Sequence, residues 1–189
     1  MRATPEDSAA EAKALDLLMP LQFFYLRDDW VLPEVEFMNG VELPDPYQGL
    51  LVHGADMTST LSEFHESEIS LEVLDREVSD GYVMRSVVLR SSDGVPVEFG
   101  AIGIQLEGFD ELLKVEVETG AGPLGGLLQK HRFPYTSRPK GYFRVKADQF
   151  MANHLSCSPG AVLYGRCNEL LDAEGLTFAD IVEILPLNS

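Results

Sequence analysis

The chain has 189 residues, of which 45% are hydrophobic and 24% charged, and this composition is typical of a globular protein of one domain. Its 14 Lys and Arg residues against 31 Asp and Glu residues give a formal net charge of −17. A surface of that sign repels phosphate backbones and anionic lipid headgroups, which argues against nucleic-acid and membrane-surface partners. The sequence contains neither an apolar leader nor an apolar run of ~18 residues, which favours a cytoplasmic protein.

The first part of the chain is predicted to be an extension made of one helix and several loops. Residues 4–18 have the pattern of a helix, with a threonine N-cap and a proline in the first turn. Prolines and glycines punctuate residues 21–49, which indicates short elements and loops. We therefore divide the chain into an N-terminal helix and loop extension, residues 1–49, and a domain of residues 50–189.

The rest of the chain predicts antiparallel strands with short helices between them. A helix starts near Asp56, residues 69–76 alternate as a strand, and residues 82–90 and 95–106 flank an S-S-D-G turn as a hairpin. Further elements follow in chain order: a short helix at 109–113, a loop at 120–126, a short helix at 127–131, a strand at 142–146, a helix at 148–155, and a second hairpin at 162–171 and 176–185. Because hairpins outnumber crossover helices, the predicted fold class is α+β, a single domain with a central antiparallel β-sheet.

Several common functional motifs are absent or lie in the wrong context. Residues 120–125 match G-x-G-x-x-G, but Pro134 ends the following helix too early for a dinucleotide-binding βαβ unit. The 4 histidines lack H-x-x-x-H and H-E-x-x-H spacings and the 2 cysteines lack C-x-x-C spacing, so no metal site is predicted. No G-x-S-x-G motif supports a hydrolase nucleophile.

Three charged residues lie within apolar, strand-like runs and are candidate functional groups. The neighbours of Arg85 on its own strand face, Val83 and Val87, are apolar, so a face that should be core contains a guanidinium. Arg85 either forms a structural salt bridge or clamps a ligand carboxylate, which suits its fork of donors. Glu183 faces either water or the interior, and inside the protein a raised pKa would make it a proton-transfer or hydroxyl-binding group. Arg166 is the third such charge and is equally suited to be the structural partner of an acid.

Five short motifs in the same order resemble the chorismate lyase (chorismate pyruvate-lyase) family. They are Asp56-Met57-Thr58, Met84-Arg85-Ser86-Val87-Val88-Leu89 with Asp93-Gly94 and Pro96, Gly122-Pro123-Leu124-Gly125, Leu163-Tyr164-Gly165-Arg166, and Val182-Glu183-Ile184-Leu185-Pro186. The resemblance covers the chain from about residue 50 to residue 186 and leaves the N-terminal extension uncovered.

The resemblance implies a chorismate lyase-like domain in which helical flaps cover an internal ligand cavity. It also implies a lyase that removes pyruvate from chorismate to leave 4-hydroxybenzoate or a related hydroxybenzoate, with neither metal nor organic cofactor. The implied catalytic residues are Arg85, which would clamp the ring carboxylate, and Glu183, which would meet the hydroxyl or ether oxygen at the far end of the ring. The backbone N–H of Leu124 would bind the carboxylate as well, with Gly125 beside it, and Met57 would line the pocket from a flap.

Two other functions stay open beside the lyase. One is a non-enzymatic binding module, a sensor or carrier for a small aromatic or cyclohexadiene carboxylate, which resembles the effector-binding domains of some transcription regulators. The other is a scaffold protein in which Arg85 is only a core salt bridge. One departure from the family concerns Glu183, because only Ile184 and Leu185 separate it from the following proline. A one-residue slip there would turn the carboxylate to the other face of the strand. The sequence does not define an oligomeric state.

Overall fold

Seven strands and six α-helices form residues 16–186, the part of the chain that the computed structural model describes. The strands are β1 (Val35–Met38), β2 (Ile69–Ser79), β3 (Tyr82–Ser91), β4 (Pro96–Gln105), β5 (Thr136–Lys146), β6 (Val162–Leu171) and β7 (Thr177–Leu185). The helices are α1 (Met19–Arg27), α2 (Tyr47–Leu51), α3 (Met57–Phe64), α4 (Glu111–Thr119), α5 (Leu124–Lys130) and α6 (Gln149–Leu155), with a 3-10 turn at Gly40–Glu42. The helix predicted at residues 4–18 lies mostly outside the described residues.

All seven strands join one sheet, in the order β1-β5-β6-β7-β4-β3-β2, and every neighbouring pair is antiparallel. Both predicted hairpins are present, and their turns use Gly94 (φ +83°) and Gly175 (φ +81°), because a positive φ is easily adopted only by glycine. Strand β5 starts earlier than the predicted residues 142–146, since a register shift between Pro139 and Gly141 lets the strand accommodate a proline. The α+β class with a central antiparallel sheet is confirmed.

Helices α4 and α5 differ from their predicted bounds because their ends depend on local capping. Helix α4 extends beyond residues 109–113, since the Asp110 side chain accepts a hydrogen bond from the Leu113 N–H (2.8 Å) at its start. Gly120 ends this helix in the left-handed conformation (φ +70°). Helix α5 begins at Leu124, inside the predicted loop, so only a short connection separates the two helices.

Helices cover both faces of the sheet, and this is why β3 and β4 are buried along almost their whole length. Helices α1 and α6 pack on one face, where Phe24, Phe99, Phe143 and Met151 belong to one apolar cluster. On the other face, α4 and α5 cover one end of the sheet and α2 and α3 cover the other.

The two apolar clusters on this second face leave a polar band between them, and the candidate site lies in this band. No described helix is long and apolar enough to cross a membrane. The domain boundary after residue 49 stays a prediction, although α1 and β1, which precede it, pack on the same sheet as the later elements.

Candidate functional site

A cavity of about 630 Å³, counting the part open to solvent, lies over the middle of the second sheet face. Its floor follows directly from the strand register. Gly100 on β4 is opposite Glu183 on β7, which is opposite Arg166 on β6. Arg85 on β3 is opposite Ile102 on β4, one step further along the same face. Charged residues from three strands, β3, β6 and β7, therefore meet on one face.

The structure brings all five sequence-predicted site residues to this cavity, namely Met57, Arg85, Leu124, Gly125 and Glu183. Helices α3 and α5 form the flaps above the sheet. Helix α3 starts where predicted, with Asp56 as its N-cap, whose carboxylate accepts a hydrogen bond from the Ser59 N–H (2.8 Å). A Cβ at Gly125 would overlap the Asp56 carboxylate. Glycine at this position therefore allows the start of α5 to approach the start of α3.

Arg85 is a buried guanidinium that lacks an acidic partner. Arg85 is only 2% exposed, and its Nη2 donates a hydrogen bond to the Gly122 carbonyl oxygen (3.3 Å). Nε and Nη1 have no hydrogen-bond partner, and no carboxylate of residues 16–186 forms an ion pair with Arg85. Burial and the nearby charge of Arg76 lower the pKa of Arg85 to about 10, so the group is charged at neutral pH. The structural salt bridge, one of the two sequence-based alternatives, is thus not formed within the described residues.

Glu183 points into the protein, and its carboxylate is held by Arg166. Glu183 is 4% exposed and Arg166 is 1% exposed, and Glu183 Oε2 accepts a hydrogen bond from Arg166 Nε. Arg166 Nη1 also donates to the carbonyl oxygens of Leu51 (3.1 Å) and His53 (3.0 Å), which ties the end of α2 to the sheet. Arg166 is therefore the structural partner of an acid, the alternative that the sequence left open. The catalytic role of Glu183 stays a prediction.

Glu98 on β4 is a cavity residue that the sequence analysis did not single out. It is 4% exposed, and its Oε2 has no hydrogen-bond partner among the described residues. Burial raises the pKa of Glu98 well above its ordinary range, and the charges of Glu183 and Asp56 raise it further, while Arg166 acts in the opposite direction. The surroundings of Glu98 therefore favour its uncharged, protonated form over the carboxylate. A charged residue within the apolar run 95–106 is the same signal that identified Arg85.

The remaining wall of the cavity is apolar or already satisfied. Asn168 and Ser137 hydrogen-bond to each other, with Asn168 Nδ2 donating to Ser137 Oγ (3.0 Å). Apolar side chains fill the space between the polar groups: Leu71, Val87, Leu89, Ile102, Leu170 and Ile181. Residues 16–186 contain no group of three or more His, Cys, Asp or Glu side chains that could hold a metal ion. An apolar cavity with a few polar groups is typical of small-molecule sites.

The sequence matches no protein-family model and has no significant match among curated proteins. Solved structures do match the fold. PhnF from Mycobacterium smegmatis superposes with a TM-score of 0.56 at 10% identity, over 72% of this chain and 65% of the PhnF chain. The effector domain of PhnF alone gives a TM-score of 0.54 at 9% identity, over 72% of this chain and 91% of that domain.

A third match comes from a structure described as the ligand-binding domain of a GntR-family transcriptional regulator from Bordetella bronchiseptica. Its TM-score is 0.50 at 16% identity, over 66% of this chain and 92% of that domain. Identities this low show a shared fold and nothing finer. The fold is the chorismate lyase-like fold, as predicted, in the form seen in effector domains of regulators. One of these structures is described as an effector domain and one as the ligand-binding domain of a regulator, so the matches bear on the fold and not on an enzymatic activity.

Proposed function

We propose that this chain is a binding module for a small organic carboxylate, with the ligand held in the cavity over the second sheet face. The observation that carries the proposal is Arg85, a buried cation that faces the cavity and has two guanidinium nitrogens without hydrogen-bond partners among residues 16–186. Burying a charge is unfavourable unless an opposite charge or hydrogen bonds compensate for the lost water. A ligand anion supplies both, and the planar guanidinium matches the geometry of a carboxylate.

The walls of the cavity favour a ligand whose carboxylate is attached to an apolar body. Val87, Ile102 and Ile181 flank the space next to Arg85, and Met57 and Leu124 close it from the flaps. A flat ring fits between apolar walls of this kind, whereas a sugar or a peptide would leave many polar groups without partners. A small aromatic or cyclohexadiene carboxylate is therefore the ligand class that these contacts support. The likeness to a domain described as the ligand-binding domain of a regulator points in the same direction.

Lyase activity on chorismate is the second candidate function, and Glu183 is the residue on which it depends. In the sequence-based hypothesis, Glu183 meets the hydroxyl or ether oxygen of the ligand. Its carboxylate accepts a hydrogen bond from Arg166 instead, which leaves it less available to manage a proton. We therefore place binding before catalysis and test both with the same protein.

The test is thermal unfolding with and without benzoate, 4-hydroxybenzoate and chorismate, and the chorismate samples are also assayed for released pyruvate. A ligand at a hundredfold over its Kd stabilises by about 2.7 kcal/mol, which corresponds to a rise in Tm of about 5–10 °C for a domain of this size. Arg85→Met should abolish the rise. The matched control is Arg144→Met, since Arg144 is an exposed arginine on β5 whose partner is Glu36.

Two results would overturn the proposal. One is a panel in which none of the three carboxylates changes the Tm, and the other is a ligand-induced rise that Arg85→Met leaves intact. Release of pyruvate from chorismate by the wild type would establish the lyase instead.

A further inference from the structure

Glu98, like Arg85, is a buried ionisable residue of the cavity with a polar atom that forms no hydrogen bond among residues 16–186, and it has no role in the binding of a carboxylate by Arg85. We propose that the carboxyl group of Glu98 binds a hydroxyl group at the end of the ligand opposite its carboxylate. Glu98 thereby makes the site selective for hydroxylated carboxylates over their unsubstituted parents. This inference rests on the proposed function, because it requires a carboxylate ligand at Arg85.

The register of β3 and β4 places Arg85 and Glu98 at opposite ends of the cavity floor. Arg85 is opposite Ile102, and Glu98 is four residues away from Ile102 on the same strand and the same face. Four residues of an extended strand span about 14 Å between Cα atoms, and both long side chains reach into the space between them. A single ring with substituents at both ends is the kind of ligand that fills such a gap.

Gly100 lies midway between these two positions and keeps the space between them open. A Cβ at this position would lie 3.0 Å from Glu98 Oε1 and 3.4 Å from Val87 Cγ2. The short distance to Oε1 shows that the Glu98 side chain extends over Gly100, toward the centre of the floor. The carboxyl group is therefore directed along the path that a ligand held by Arg85 would occupy.

Burying Glu98 Oε2 without a hydrogen bond destabilises the unliganded protein, and a ligand hydroxyl would supply the missing bond. Oε2 is fully buried and forms no hydrogen bond with any of the described residues. Buried polar atoms in folded proteins are nearly always hydrogen-bonded, so an exception in a ligand cavity calls for a partner that the ligand brings. Glu183 cannot take this part as readily, since Arg166 already engages it.

The charges around Glu98 disfavour its ionised form, above all once a ligand carboxylate is bound at Arg85. Arg85 and Arg166 balance Glu183 and Asp56 among the charged groups that line the cavity. Binding a carboxylate at Arg85 adds a negative charge, so ionising Glu98 beside Glu183 would add a second one. An uncharged carboxylic acid donates one hydrogen bond and accepts others, which is also what a hydroxyl does.

The test compares the Kd of 4-hydroxybenzoate with that of benzoate by calorimetry for the wild type and for Glu98 variants. We expect the wild type to bind 4-hydroxybenzoate about tenfold more tightly than benzoate, the size of one well-formed buried hydrogen bond. Glu98→Gln should keep most of this preference, because the amide retains a donor and an acceptor. Glu98→Leu and Glu98→Met should reduce the preference to about twofold or less while benzoate binding persists. Glu36→Leu, at an exposed position on β1, is the control and should leave the preference unchanged.

The apo proteins provide a readout that separates ligand recognition from a structural role. Glu98→Leu and Glu98→Met should raise the apo Tm, because each removes a buried oxygen without a partner. A lower apo Tm in both variants would show that Glu98 supports the fold and would overturn the inference. A preference that survives in both apolar variants, or that Glu98→Gln abolishes, would overturn it as well. Equal affinities of the wild type for the two probes, both lost in Arg85→Met, would overturn this inference and leave the proposed function standing. Binding of neither probe would overturn both.

Discussion

Replacing Arg85 with methionine should make the unliganded protein more stable, which is the opposite of what a core salt bridge predicts. Methionine has a similar length and fills the same space without a charge. The substitution removes a guanidinium that is 2% exposed and has no ion pair among residues 16–186, together with one hydrogen bond to Gly122. Only the hydrogen bond is a loss to the folded state, whereas removing the buried charge is a gain.

The size of the effect follows from the pKa of Arg85, which burial lowers from 12.5 to about 10. At about 1.4 kcal/mol for each tenfold change, this corresponds to roughly 3 kcal/mol of destabilisation of the charged form. Because the pKa in the folded state lies below the pKa in the unfolded state, the penalty applies in full at every pH below about 10. Subtracting ~1 kcal/mol for the hydrogen bond to Gly122 leaves a net gain of about 2 kcal/mol. For a domain of this size the gain corresponds to a rise in Tm of about 4–8 °C.

Differential scanning calorimetry of the apo proteins near pH 7 measures this effect. Arg85→Lys is the control, since it keeps a buried charge without a partner and should not raise the Tm. A fall of more than about 2 °C for Arg85→Met would refute the reasoning, because it would show that the guanidinium contributes net stability through contacts of its own. The pair of outcomes, a higher apo Tm and the loss of carboxylate binding, is the signature of a residue retained for a ligand rather than for the fold.

Three other predictions follow from the same site. Glu183→Gln leaves the buried Arg166 without its counter-charge and should lower the free energy of unfolding by about 3–5 kcal/mol, measured by urea titration. An unchanged midpoint of unfolding would show that the ion pair between Arg166 and Glu183 does not stabilise the fold. Gly165→Ala places a Cβ against the carbonyl oxygen of Glu183 and 2.5 Å from the Phe143 ring. We expect the free energy of unfolding to fall by at least about 2 kcal/mol, measured by thermal unfolding. A fall of less than about 0.5 kcal/mol would count against this packing. The pKa of Glu98 is higher in the folded state than its ordinary 4.5, so the stability that its protonation contributes is complete below about pH 4.5 and is lost as the pH rises. The stability of the wild type relative to Glu98→Gln should therefore decrease as the pH rises above about 4.5, and a difference that stays constant with pH would show that the pKa of Glu98 is not raised.

Part of the candidate site could be predicted from the sequence because Arg85 is a local anomaly. A guanidinium between in-phase valines is visible within one strand, and the short motifs around it carry the resemblance to the chorismate lyase family. Glu98 shows a similar anomaly, since Val97 and Phe99 flank it. The sequence does not show whether Glu98 faces the interior, because a carboxyl on one face of a strand can equally face water. The helices that cover this face of the sheet make Glu98 a buried group.

The sequence by itself determined the strands, the two hairpins and the start of α3, because these depend on periodicity, turn glycines and a cap within a few residues of each other. It also determined the charge of −17, which governs long-range approach but not the interior of a covered cavity. Only the tertiary structure decided which charges pair. The β6–β7 register placed Arg166 opposite Glu183 and joined them, whereas within residues 16–186 Arg85 has no acidic partner and Glu98 Oε2 has no hydrogen-bond partner. Such pairing depends on contacts between strands that no local pattern encodes, and it leaves two unpaired groups in one cavity for a ligand to satisfy.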